Sequence, residues 1–90
     1  MEACKIIISG RVQMVGFRYY TKKIADQLNI TGWARNQQDG TVMVFAQGDP
    51  ESLQKFKDLM RHGPGSAEVS DMQVLDVSPN PGFNDFEIVY

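Results

Sequence analysis

The sequence predicts an α+β fold of the split β-α-β type: an antiparallel sheet with two helices on one face. Three observations carry this. Period-two and period-3.6 apolar patterns alternate in the order β-α-β-β-α-β, with a further short strand at the end. An Asp-Gly pair separates two strand-like runs in the middle. The 90 residues fit one domain over 1–90, with one core.

The first strand covers residues 3–9. Cys4, Ile6 and Ile8 point one way and Lys5, Ile7 and Ser9 the other. The isoleucine run predicts burial on both faces, and Gly10 ends the strand. From Phe17 the period changes: Phe17, Tyr20, Ile24 and Leu28 form one face of a helix, with Lys22, Lys23, Asp26 and Gln27 on its wet side and Asn29 as the stop. Residues 31–38 and 41–47 flank Asp39-Gly40 and predict a hairpin, since both turn residues tolerate positive φ. The first arm is more polar than a core strand requires.

Asp49 and Pro50 predict the N-cap and first position of a second helix. Its apolar stripe is Leu53, Phe56, Leu59 and Met60, and the breakers 61–65 stop it. Residues 67–77 predict a fourth strand, 78–82 a loop, and 83–90 a short last strand with Phe86, Ile88 and Tyr90 on one side. Right-handed crossovers then place the first and third strands side by side in a ferredoxin-like sandwich.

Composition excludes several function classes. The net charge of -2 argues against a nucleic-acid binder driven by bulk charge, so any anion site is local. The one cysteine, Cys4, allows no internal disulfide and reads as a small buried hydrophobe. The run Ile6–Ile8 is too short for a signal peptide or a membrane span, and the expectation is a cytoplasmic protein with no membrane partner. The one histidine, His62, sits among loop breakers and lacks a catalytic pattern. No Cys/His spacing suits a metal, and no phosphate-binding P-loop or dinucleotide motif is present, so no metal or cofactor is expected.

What remains is the segment 9–18, where an apolar strand passes through Gly10 and Gly16 into a helix that begins near Arg18. Backbone N–H groups at such a turn, beside a guanidinium, suit a tetrahedral anion. Arg18 is the candidate phosphoryl clamp, because its planar fork can donate two parallel hydrogen bonds. Asn36, in a strand where Asn is disfavoured, is the candidate water-holder, because its amide both donates and accepts. Positioning and charge stabilisation without a nucleophile suit phosphoryl transfer from a good leaving group. A carboxylate, whose conjugate acid has a pKa near ~4, leaves without a general acid. The residues therefore point to acyl phosphates rather than phosphate monoesters.

The stretch Gly10-Arg11-Val12-Gln13-Met14-Val15-Gly16-Phe17-Arg18 resembles the acylphosphatase signature G-R-V-Q-G-V-G-F-R. Gly32-Trp33-Ala34-Arg35-Asn36 with Asp39-Gly40-Thr41-Val42 resembles its second signature. The resemblance covers essentially the whole chain. It implies a metal-free hydrolase that converts an acyl phosphate to a carboxylate and inorganic phosphate, the latter acting as product and inhibitor. By position, Arg18 matches the phosphate-binding arginine and Asn36 the water-orienting asparagine. The backbone amides of Gln13, Met14, Val15, Gly16, Phe17 and Arg18 match the phosphate cradle. Met14 departs from the family pattern, which has glycine there. A positive φ at Met14 would be strained, and the alternative expectation is an impaired or non-catalytic phosphate-binding module. Similar domains also occur inside larger carbamoyl-transferring proteins, and RNA-recognition domains share the element order. The chain lacks the aromatic RNA-binding signature of the latter. A monomer is expected.

Overall fold

The computed structural model describes all 90 residues, as β1 (Glu2–Arg11), α1 (Phe17–Leu28), β2 (Thr31–Asn36), β3 (Val42–Gly48), α2 (Pro50–His62), β4 (Glu68–Val77) and β5 (Phe86–Val89). One five-stranded sheet has the order β4-β1-β3-β2-β5. The first and third strands are neighbours, as the crossover rule requires. The four long strands pair antiparallel, while β5 runs parallel to β2, so the sheet is mixed rather than wholly antiparallel. Placing β5 beside β2 brings its end next to the start of α1, which matters for the site.

One core lies between the sheet and the two helices. Cys4, Ile6 and Ile8 of β1 meet Val42, Val44 and Ala46 of β3, Phe17 and Ile24 of α1, Leu53, Phe56 and Met60 of α2, and Phe86 of β5. The alternation of β1 and β3 puts these apolar side chains on one face. Cys4 is buried, and burial pushes its thiol pKa up. Tyr20 ties the helices together by donating from its hydroxyl to the Leu59 carbonyl at 2.8 Å.

Several sequence expectations need correction. Strand β1 is buried on one face only, because Lys5, Ile7 and Ser9 lie on the helix-free side of the sheet and are half-buried. Gly10 does not end β1. The register against β4 slips between Ser9 and Gly10, forming a bulge, and the strand continues to Arg11. Leu59 is 39% exposed and falls outside the buried stripe of α2. Lys22 is not simply solvated, since its Nζ reaches the Phe86 carbonyl at 2.9 Å as well as Asp26 at 3.2 Å.

The hairpin also differs from a two-residue Asp-Gly loop. Strand β2 ends at Asn36, and the Gln37 carbonyl accepts from the Gly40 N–H at 3.2 Å. Gln38 and Asp39 are the central turn residues, and only Gly40, at φ 92°, has positive φ. This is a turn closed by a left-handed residue, which suits glycine. Asp39 Oδ1 accepts from the Thr41 hydroxyl at 2.6 Å and the Thr41 N–H at 3.0 Å. The hydroxyl bond is the larger cause of an Asp39 carboxyl pKa below the ordinary value.

Candidate functional site

Between β1 and α1 the backbone turns through two left-handed residues, Met14 at φ 62° and Gly16 at φ 76°. Alternating left-handed residues in a short turn direct successive N–H groups toward a common side, the geometry of an anion-binding nest. Gly16 is the N-cap of α1 and offers no capping side chain. The helix therefore begins with its first-turn N–H groups unsatisfied. No hydrogen bond within the protein uses an N–H from Gln13 to Tyr19, and the first one in the helix is Tyr20 N–H to the Gly16 carbonyl at 3.0 Å.

Three side-chain contacts fix this loop. Ser66, between α2 and β4, donates from its hydroxyl to the Val15 carbonyl at 2.8 Å. Across a trans peptide the following N–H points the opposite way, so this bond orients the Gly16 N–H away from Ser66. Gln13 Nε2 donates to the carbonyls of Gln37 at 2.7 Å and Thr41 at 3.0 Å. Its side chain thus fastens the loop to the β2–β3 hairpin with both amide protons, and only its backbone N–H remains as a donor. Phe17 is buried in the core and pins the first helical turn from below.

A cleft of about 200 Å³ opens over this loop. It is lined by Val12, Met14, Gly16, Phe17, Arg18 and Tyr19 from the loop and α1, Asn36 from β2, and Ile88 and Tyr90 from the last strand and the residue after it. Arg18 and Asn36, from different elements, therefore share one cavity. Arg18 Nη1 donates to the Val89 carbonyl at 3.2 Å, and the guanidinium carbon lies 4.7 Å from the Tyr90 ring centre. One nitrogen and one face are thus engaged, and the rest of the five-donor fork has no other partner in the protein. Asn36 pairs with Val42 in the ladder, and its side-chain amide makes no hydrogen bond within the protein.

Sequence reasoning placed Arg18, Asn36 and the 13–18 loop in one site; the fold puts Met14, Gly16, Phe17, Arg18 and Asn36 around one cleft, whereas Gln13 and Val15 do not line it. Sequence reasoning missed Ser66, Val89 and Tyr90. Ser66 directly follows the breakers 61–65 and has no pattern of its own. Tyr90 did carry a signal, since it continues the alternation of Phe86 and Ile88, but its neighbour across the fold depends on the parallel pairing of β5.

The fold is thus an α+β domain whose candidate site joins a turn with two left-handed residues at a helix N-terminus to one arginine and one unpartnered amide side chain, an arrangement suited to an anion. Comparison with known proteins narrows this class. The sequence pattern of the family described as acylphosphatase matches residues 4–88. The acylphosphatase of Bacillus licheniformis is 43% identical over 86 residues, covering 96% of each chain. That of Thermotoga maritima is 40% identical over 90 residues, covering 100% of this chain and 99% of the relative. The crystal structure of acylphosphatase from Bacillus subtilis superposes with a TM-score of 0.95 at 38% identity, covering the whole of both chains. The chain belongs to the acylphosphatase family, and it is a hydrolase of that type.

Proposed function

We propose that the chain hydrolyses acyl phosphates, with the phosphoryl group held by Arg18 and the amides of residues 13–18 and the attacking water held by Asn36. The observation that carries this reading is the shared cleft. Arg18, with most of its guanidinium donors free, and Asn36, with an unpartnered carboxamide, line one small cavity together with Met14, Gly16 and Phe17, whose N–H groups have no partner within the protein.

The chemistry follows from the donors. The three non-bridging phosphoryl oxygens take hydrogen bonds from Arg18 and the loop N–H groups, which stabilise the charge they carry in a loose transition state. The Asn36 carboxamide oxygen accepts a hydrogen bond from the water and so orients the water's lone pair at phosphorus, without taking the proton. A water oxygen–phosphorus bond forms while the bond from phosphorus to the acyl oxygen breaks. The carboxylate leaves with the electron pair, and both water protons remain on dihydrogen phosphate, one of them ionising to solvent near neutral pH. No protein group need give or take a proton, which suits a cleft whose lining holds no histidine, cysteine or carboxylate.

The test is steady-state hydrolysis of acetyl phosphate with inorganic phosphate as competitor. Turnover with competitive inhibition by phosphate supports the reading. Competitive binding of phosphate without turnover would replace it with that of a phosphate-binding module.

A further inference from the structure

We infer that the mouth of the cleft is an acyl-binding rim, with Met14 and Tyr19 as specificity-determining side chains that select apolar, uncharged acyl groups. This inference rests on the acyl phosphate reading above and names the substrate class within it.

Six large apolar side chains are exposed on the protein, and three of them, Met14, Tyr19 and Tyr90, line this one cleft. The other three, Met1, Leu59 and Leu75, are elsewhere. Exposed apolar side chains gathered at one cavity mark a binding surface, whereas scattered ones do not. Met14 is 100% exposed and therefore stabilises nothing by burial. It also occupies a left-handed backbone position, φ 62°, that disfavours any residue with a Cβ. A side chain held at that cost and touching no core has its use outside the fold.

The direction of the substrate supplies that use. The loop N–H groups and Arg18 enclose the phosphoryl oxygens, so the acyl group projects outward past the exposed residues of the mouth. There it meets the Met14 thioether chain and the Tyr19 ring, adaptable and flat apolar surfaces respectively. The cleft holds a single cation, Arg18, which the phosphoryl group occupies, so a second negative charge on the acyl chain meets no cation in the lining and, keeping its hydration, gains nothing from the apolar rim.

The experiment measures kcat/KM for acetyl, butyryl, hexanoyl and succinyl phosphates. An open rim covers each added methylene only in part, so the expected gain is about twofold per methylene, or roughly fifteen-fold from acetyl to hexanoyl. Butyryl phosphate should exceed the equally long succinyl phosphate, which gains nothing from the apolar rim, by about threefold or more. In Met14→Gln and Tyr19→Ser the hexanoyl-to-acetyl ratio should fall at least about threefold. The ratio cancels any change in the phosphate cradle, which both substrates share. Ordinary turnover with a flat chain-length profile, or a ratio unchanged in both variants, overturns the rim and leaves the phosphoryl site standing. No turnover of any of the four overturns both.

Discussion

The Arg18 guanidinium lies against the ring of Tyr90, 4.7 Å from its centre, while donating to the Val89 carbonyl at 3.2 Å. An arginine side chain is entropically expensive to hold, and these two contacts order it before any anion arrives. A cation–π contact at a partly exposed site is worth about 0.5–1 kcal/mol. Tyr90→Ala should therefore weaken inhibition by phosphate by about two- to fivefold, while Tyr90→Phe should restore it. Equal inhibition constants in Tyr90→Ala and the parent would show that Val89 alone orders the arginine. Arg18→Ala should lower kcat/KM by at least about a hundredfold, and Arg18→Lys should recover little of it, because lysine cannot reproduce the fork.

Asn36 sits at the last position of β2, in ladder register with Val42, so its side chain is aimed by the sheet rather than by a loop. On the proposed mechanism, replacing it removes the group that holds the water and leaves the groups that hold the phosphoryl oxygens. Asn36→Ala should lower kcat by about a hundredfold or more with the phosphate inhibition constant changed by less than about threefold. A fall in phosphate affinity equal to the fall in kcat would place Asn36 on the phosphoryl group instead of the water.

Gln13 couples the two halves of the site. Its amide bonds to Gln37 and Thr41 connect the 13–18 loop to the hairpin that follows Asn36. Gln13→Ala leaves two carbonyls without this donor and frees the loop to move relative to Asn36. The expected loss is about 1–3 kcal/mol of stability in urea denaturation, and a fall in kcat, since small displacements of positioned groups cost rate steeply. Unchanged urea midpoint and kcat would remove Gln13 as the link.

How much of this was legible beforehand follows from where each residue takes its instructions. Arg18 and Asn36 carried a local signal, as residue types that are costly where they stand, and Gly10 and Gly16 marked the bounds of the loop. The core of β1, β3, α1 and α2 followed from periodicity. Tyr90, Val89 and Ser66 were not legible, because their roles arise from pairings between elements distant in sequence. The partner of β5 is set by which sheet edge remains open, and four residues of strand cannot encode that. The extra turn residues of the hairpin were missed for a different reason. Asp-Gly serves both a two-residue turn and a longer turn closed by glycine, and the Thr41 bonds to Asp39 favour the second.

Those Thr41 bonds predict a pH effect. The Asp39 carboxylate accepts both, and its pKa is lowered in the folded state. A depressed folded-state pKa contributes stability that is present above the unfolded value, about 3.9, and is lost as pH falls through the lower folded value. The hairpin should therefore loosen only under acid. Carboxyl titration by NMR should place Asp39 below the ordinary aspartate value, and Thr41→Val should bring it back toward that value. An Asp39 pKa that Thr41→Val leaves in place would locate the cause elsewhere.

Met14 occupies the left-handed region at φ 62° with its side chain fully in solvent. A residue with a Cβ is disfavoured there by about 1–2 kcal/mol, and no buried contact of the side chain offsets that. Glycine adopts the same backbone freely but loses about 0.5–1 kcal/mol more conformational entropy on folding. The difference leaves Met14→Gly more stable by about 0.5–1 kcal/mol, a rise in Tm of a few degrees for a domain of this size. The same substitution keeps the N–H donor and removes the side chain from the mouth of the cleft. Turnover of acetyl phosphate, which reaches little of the rim, should therefore hold or rise in Met14→Gly, while that of hexanoyl phosphate should fall relative to it. Strain and specificity are thus separable at one position: a calorimetric Tm reports the first, and the substrate ratio reports the second. A variant with the parent's Tm would mean that the loop relaxes around methionine at no cost.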